Sequence, residues 1–432
     1  MPNSVTTHLV NQTTSQNVHA YITGLAIQHN MARVFVKPDG HSLYYPESPP
    51  PGQILQPLTE DCAIPLGAPG NTMAVTIPQI AGGRIWFSAE KPLTFLRNPG
   101  GPGGGAALVE PSVLNPSDPN ADVDFAFCEF TLNSDQLFAN ISYVDFVPRL
   151  PIALTLQTRG GGAAQHVSGM APDGLDRVCA GLREQAARDG RPWDRLVVQA
   201  KGQDVRPLRV LNPTHGNAVG ACFDGYFEPL VDAAWEKYGH KEPPQGEKPH
   251  HGFKLRLPLM DKGPEPQAQA QAVLRINTQA APGCLEGSVP PASNDLVIGG
   301  EPFARPTTAD ILGCNSGPFT TGPSPKRNAI IPRLAAAFQR GCICAVDEHP
   351  SHPETFYQTD PANHYSRVVH ECNLDGKGYA FAYDDVQPDG GADQSGKVNA
   401  GDPELWIVAV GGGGAYAGMG SRERSSRVEA SV

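Results

Sequence analysis

Charge is scarce in this sequence. Only 18% of its 432 residues are Asp, Glu, Lys or Arg, with 33 basic against 44 acidic residues and a formal net charge of -11. Against a usual charged fraction of ~25%, this excludes a coiled coil and a highly charged disordered chain. A nucleic-acid binder needs a basic face, and there is no basic run, so nucleic acid is excluded as a partner. Nor does any apolar run reach the ~18 residues of a membrane helix, and the uncharged stretch Leu405 to Gly420 is broken by six glycines. CxxC is absent, and Cys342-Ile-Cys344 is too short a pair to argue for zinc. The pair His250-His251 lies in a polar, Pro-rich segment and reads as solvated, so neither a metal nor a cofactor is expected. GxxxxGK[ST] is missing too, which leaves the Gly/Pro-rich stretch Asn98–Ala107 as a loop without phosphate chemistry. The first residues, Met1-Pro-Asn-Ser-Val-Thr-Thr7, have neither a charged n-region nor an apolar h-region and do not read as a signal peptide.

Turn-formers are abundant, with 47 Gly and 43 Pro. Apolar residues still make up 40%, including 16 Phe, 11 Tyr and 4 Trp, enough for a sizeable core. Many turns and few charges point to β-rich structure with long ordered loops. The nine cysteines are an odd number, so at least one is unpaired within the chain.

The length allows two or three domains. Residues 18–160 read as short strands and turns, including Tyr21–Ile27, Arg33–Val36 and Arg84–Ser88. Residues 165–362 change character. Helical spacing is clear at Leu175, Val178, Cys179, Leu182 and Ala186, with Gly190 as a stop, and again near Phe227–Tyr238 and Asn328–Arg340. Strand-like runs at Leu196–Val198 and Leu208–Leu211 fall between these helices and imply an α/β unit. From 365 to 410 the β-type pattern is expected to return, at Tyr379–Tyr383 and Leu405–Val410, and to complete the first domain. Residues 411–432 have no apolar period and are expected to be a disordered tail.

The chemistry concentrates between Asp124 and Pro148. With period two, Ala126, Cys128, Phe130 and Leu132 fall on an apolar strand face, and Glu129, Thr131 and Asn133 on a polar one. On the next stretch Ile141, Tyr143, Asp145 and Val147 share a face, which puts a carboxylate among apolar and aromatic neighbours. Burying it unpaired would be costly. Glu129 and Asp145 could then approach across one sheet and divide acid and base roles, as glycoside hydrolysis requires. Directly opposed partners would give the ~5–5.5 Å separation of a retaining enzyme, and an offset the ~6.5–9.5 Å of an inverting one. The spacing does not choose between them. Phe138 and Tyr143 could stack on sugar rings, or belong to the core.

The segments Glu110–Asn120, Phe127–Thr131, Asn140–Phe146, Pro306–Phe319, Lys326–Phe338, His364–His370 and Asp375–Asp385 together resemble glycoside hydrolase family 64, the laminaripentaose-producing β-1,3-glucanases. The resemblance implies a β-rich α+β fold: a thaumatin-like β-sandwich or barrel with an inserted α/β domain and a wide groove between them. It implies inverting hydrolysis of β-1,3-glucan to short oligosaccharides, laminaripentaose among them, by a secreted monomer. Glu129 would be the general acid and Asp145 the general base. Thr131 and Asn133 would hold sugar hydroxyls, and Asp118, Asp384 and Asp385 would line the groove. Phe138 stands where a sugar-stacking Trp is expected. A non-catalytic thaumatin-like glucan-binding protein is the alternative, and release of reducing sugar separates the two.

Overall fold

The structure is a computed structural model that describes residues 3–100, 105–201, 205–239, 274–278, 284–290 and 293–412. The expected tail beyond Gly412, the His250-His251 pair and part of the Gly-rich loop after Asn98 lie outside the described residues. The chain divides into two compact units. The first comprises residues 1–222, 364–385 and 393–432, and the second 223–363 and 386–392.

Two large sheets dominate the first unit. The larger runs in the order Lys397–Ala400, Leu137–Ile141, Asp124–Leu132, Ile80–Ala89, Val18–Ala26, Ala32–Val36, Leu43–Tyr44, with Ile64–Pro65 also paired to Val18–Ala26. The other runs Gln165–Val167, Ile152–Thr158, Pro403–Val410, Ser4–Asn11, Thr72–Pro78. The strand Asp124–Leu132 shows why these sequences pair. Ala126, Cys128, Phe130 and Leu132 are all buried, while Glu129 and Thr131 on the other face stay half-buried. Phe130 meets Trp406 of the other sheet at 5.4 Å between rings, so the apolar faces close on one another. Burying one such side chain contributes ~1.5–3 kcal/mol. Glycine is required at position 83, where a Cβ would stand 2.4 Å from the Phe130 ring.

A third set of strands, Phe146–Pro148, Pro207–Leu211 and Val197–Gln199, forms a small sheet of its own. The helix Gly174–Asp189 buries Leu175, Val178, Cys179 and Leu182 and ends at Gly190, whose φ of 70° is the left-handed stop that glycine accepts most readily. It packs on the helix His364–Cys372, with Gly181 close against Val368. This pairing moves the expected boundary. The first unit keeps residues 165–222, and the second begins at Phe223, not after 160. The return of β-type structure at 365 is also corrected: Tyr365, Val368, Val369 and Cys372 are buried at helical spacing. Likewise Tyr379–Tyr383 is no strand. Its alternation is overridden by buried Asp384, which accepts from the Ala380 amide at 2.9 Å and folds the segment into a turn.

In the second unit the sheet Glu301–Phe303, Leu296–Ile298, Cys284–Ser288, Leu274–Asn277, Glu348–His349 is accompanied by the helices Glu228–Lys237, Thr308–Gly313 and Pro325–Gln339. Ser324 caps the last of these by accepting from the Arg327 amide, and Ile330, Ile331, Leu334 and Phe338 form its buried side.

Candidate active site

Strand register arranges the site. Arg84 lies opposite Thr23 on one side and Glu129 on the other, and Glu129 lies opposite Asn140. Directly opposed residues share a sheet face, so Thr23, Arg84, Glu129 and Asn140 form one polar row across four strands. Two residues along, Tyr21, Trp86 and Phe127 are opposed in the same way and form an aromatic row on the same face. The Arg84 guanidinium leans over it, 4.7 Å from the Phe127 ring centre and 5.4 Å from that of Trp86. The register slips between Phe130 and Leu132. This bulge re-aims Thr131, whose Oγ1 accepts from the Gly82 amide at 3.3 Å.

Three hollows in the first unit share Arg84 as a wall. The central one, about 350 Å³, is lined by Arg84, Glu129, Phe138, Asn140, Asp145 and Tyr379, with Ser142, Val144 and Ala382. A second of about 390 Å³ adds Arg33, Gly82, Gly83, Glu110 and Thr131 to part of the same wall. The third, about 140 Å³, reaches Trp86, Phe127, Asp145 and His215.

Glu129 Oε1 accepts from Arg84 Nη2 at 3.2 Å and from Nε at 3.3 Å. Arg84 Nη1 is held by Glu110 Oε2 at 2.9 Å. Asp145 has different company. Its Oδ1 is 3.4 Å from His215 Nε2, and its carbonyl accepts from the Asn212 amide at 3.0 Å. Asn212 in turn opens the 3₁₀ turn Pro213–Val219 that carries His215, its side chain accepting from the Thr214 amide. The His215 hydrogen bond, with the electrostatic pull of His215 and of the Arg84 guanidinium, outweighs burial and holds the Asp145 carboxyl below the usual carboxylate range.

Asp145 reaches this wall by leaving the sheet. The strand ends at Ile141, Ser142 bridges to Tyr379, and a bend carries the chain to Phe146. The expected continuous strand with Asp145 beside Tyr143 on one face is therefore corrected. The Asp145 side chain is 44% exposed, whereas Tyr143 is buried and donates to Asn373 Oδ1 at 3.1 Å. Tyr143 is core, and no sugar platform.

Among the other sequence candidates, Thr131 and Phe138 line the hollows. Asn133 does not: its Oδ1 takes the amides of Asp135 and Gln136, both at 2.9 Å, and shapes the hairpin turn. Asp118 is occupied by the amides of Asn120 and Ser112, which fold its own loop. Asp384 is buried against His370 Nε2 at 3.0 Å and the Ala380 amide. Asp385 stands one step back, hydrogen-bonded to Tyr379. Burial first, and then the Asp385 charge, push the Tyr379 phenol up, so that this tyrosine meets the hollow as a neutral hydroxyl. Arg84, Glu110, Asn140, His215 and Tyr379 escaped the sequence reading. Asn140 follows from the register opposite Glu129, and its Oδ1 is buried without a protein partner. His215 carries no local sequence signal.

Two carboxyl groups with unlike partners on one hollow, beside aromatic and amide side chains, constitute the kind of site that glycoside hydrolysis uses. The comparisons narrow the class. Residues 3–243 and 267–410 match the family described as Beta-1,3-glucanase, glycoside hydrolase family 64, and the chain belongs to that family. A glucan endo-1,3-β-glucosidase of Cellulosimicrobium cellulans is 27% identical over 346 residues, 79% of this chain and 54% of that protein. One from Arthrobacter sp. (strain YCWD3) is 25% identical over the same shares. The chain thus spans about half the length of the curated relatives it matches. Among solved structures, a laminaripentaose-producing β-1,3-glucanase in complex with laminaritetraose has a TM-score of 0.74 at 25% identity, covering 95% of this chain and 99% of that one. A β-1,3-glucanase domain from Clostridium beijerinckii has a TM-score of 0.67 at 22% identity, covering 94% and 98%.

Proposed function

We propose that the chain is a β-1,3-glucan hydrolase that acts with inversion, with Glu129 as general acid and Asp145 as general base. The observation that carries this reading is the hollow of about 350 Å³ into which both carboxyl groups open, each with its own partners. Asp145, kept ionised by His215, takes a proton from the attacking water while Glu129 gives one to the glycosidic oxygen. Glu129 is opposed across the sheet by Arg84 and Asn140, not by Asp145. That offset supports the wider carboxyl separation of inversion, with room for a water. Asn140, Thr131 and Tyr379 offer polar atoms to sugar hydroxyls, and Phe138 a ring face. The two stacked sheets of the first unit support the thaumatin-like arrangement that the family resemblance implies. Laminaripentaose as product, a secreted location and a monomeric state belong to the same proposal.

Glu129→Gln and Asp145→Asn should each lower turnover of laminarin by at least ~10²-fold with little change in Tm. Near-normal turnover in either variant sinks the assignment. NMR of the first-released anomer tests inversion: an α-anomer is expected, and a β-anomer means retention. Chromatography of the products reads their length, and glucan capture without reducing-sugar release would support the binding-protein alternative.

A further inference from the structure

Arg84 poses a chemical problem for the proposed reaction. A guanidinium against a carboxyl group favours the ionised form, yet a general acid must hold a proton until it is needed. Both Arg84 contacts to Glu129 fall on Oε1, which leaves Oε2 for the glycosidic oxygen. Glu110 sits on the far side of the same guanidinium. Its Oε2 accepts from Arg84 Nη1 at 2.9 Å, and its Oε1 accepts from Thr23 Oγ1 at 3.3 Å. The Thr23 hydroxyl is itself fixed, accepting from buried Trp86 Nε1 at 3.0 Å. A chain of hydrogen bonds therefore runs from Trp86 through Thr23, Glu110 and Arg84 to Glu129. Arg84, Glu110 and Glu129 have side chains only 30%, 26% and 38% exposed, and the guanidinium rests on two aromatic rings. In such a setting the count of charges matters more than in open water.

We propose that Glu110 is a positioning residue for this reaction. It orients Arg84 and offsets its charge, so that Arg84 can aim Glu129 without stripping its proton. The proposal rests on Glu129 being the general acid. With Glu110 ionised the Arg84–Glu110 pair is neutral, and Glu129 can be protonated beside it. The other ionisable groups on these walls are Arg33 from the strand Ala32–Val36, Asp145 from the bend before Phe146, and Tyr379 from the turn that holds Asp384. His215 reaches the site through Asp145.

The test is the pH profile of kcat/KM on laminarin. Glu110→Gln keeps the shape and removes the charge, so the basic limb should move to lower pH by about one unit, and the acidic limb, set by Asp145, on which Arg84 acts by charge without a hydrogen bond, should move the same way by less. Glu110→Asp, which keeps the charge but withdraws it from Arg84, should move the basic limb the same way by less, and it serves if the Gln variant does not fold. A purely structural role predicts a lower Tm and lower amplitude with the limb unmoved, and that result overturns the proposal. The reading it rests on has its own check. On a laminari-oligosaccharide with a dinitrophenyl leaving group, which needs no protonation, Glu129→Gln should turn over without a basic limb. If the limb persists there, Glu129 is not the acid and both fall. If it vanishes and Glu110→Gln leaves the limb in place, Glu110 alone is refuted.

Discussion

His215 shows how one side chain sets the behaviour of another. It supplies the largest of the effects that hold the Asp145 carboxyl low, and Arg84 adds to it. Replacing it with Ala should let that carboxyl rise, moving the acidic limb of kcat/KM to higher pH. A limb that stays put would show that His215 does not tune the base. The same depression links to stability. A carboxylate with a lowered folded value contributes stability above its unfolded value of ~3.9, and loses it as pH falls through the folded one. The Tm gap between wild type and His215→Ala should therefore be widest near neutral pH and narrow below about pH 4, read by calorimetry. At this scale the sequence was half legible. Glu129 and Thr131 could be read from a strand period, because a strand must alternate. Tyr143, Asp118 and Asp384 could not be sorted, because a carboxylate that binds its own loop amides and one that faces a ligand look alike in sequence. His215 and Glu110 come to the site through register and loop return, which no local pattern records.

The strand Asp124–Leu132 joins stability and site in one element. Its apolar face holds Phe130 against Trp406, and its polar face carries Glu129. Trp406→Ala should cost about 3–5 kcal/mol, since it empties a fully buried aromatic position between two sheets. Denaturant titration should show the midpoint falling with little change in slope. Loss of activity should track unfolding alone, and a folded but inactive variant would mean that the sheet contact positions Glu129 more directly. Strands with unbroken alternation and helices with clean stops were readable, as at Gly174–Asp189. The stretch Ile141–Phe146 was not. Its alternation continues straight through a bend created by partners distant in sequence: Tyr379, Tyr365 and Asn212. Tyr379–Tyr383 failed for the same reason, its fold dictated by Asp384 and not by its own apolar residues.

Over the whole molecule, the scarcity of charge and the nine cysteines carry consequences. All nine thiols are unbridged, and Cys222 and Cys284 are exposed. A thiol reagent should label these two quickly in the native protein and all nine in denaturant, and added reductant should leave Tm unchanged. A Tm that falls with reductant would reveal a stabilising disulfide. The abundant Gly and Pro, which dominate the composition, serve the loops around the sheets and hardly enter the strand that carries Glu129. That strand and its neighbours form a ruler. The residues Thr23, Arg84, Glu129 and Asn140 repeat once per strand, at the ~4.8 Å spacing fixed by backbone hydrogen bonds. A step of that size is close to the width of one pyranose ring. Thr23 is buried, so a polymer would meet only Arg84, Glu129 and Asn140 of this row, crossing the strands at right angles with successive sugars on successive strands. Moving the reacting bond by one sugar would then mean moving the acid by one strand, a change that no loop insertion can make.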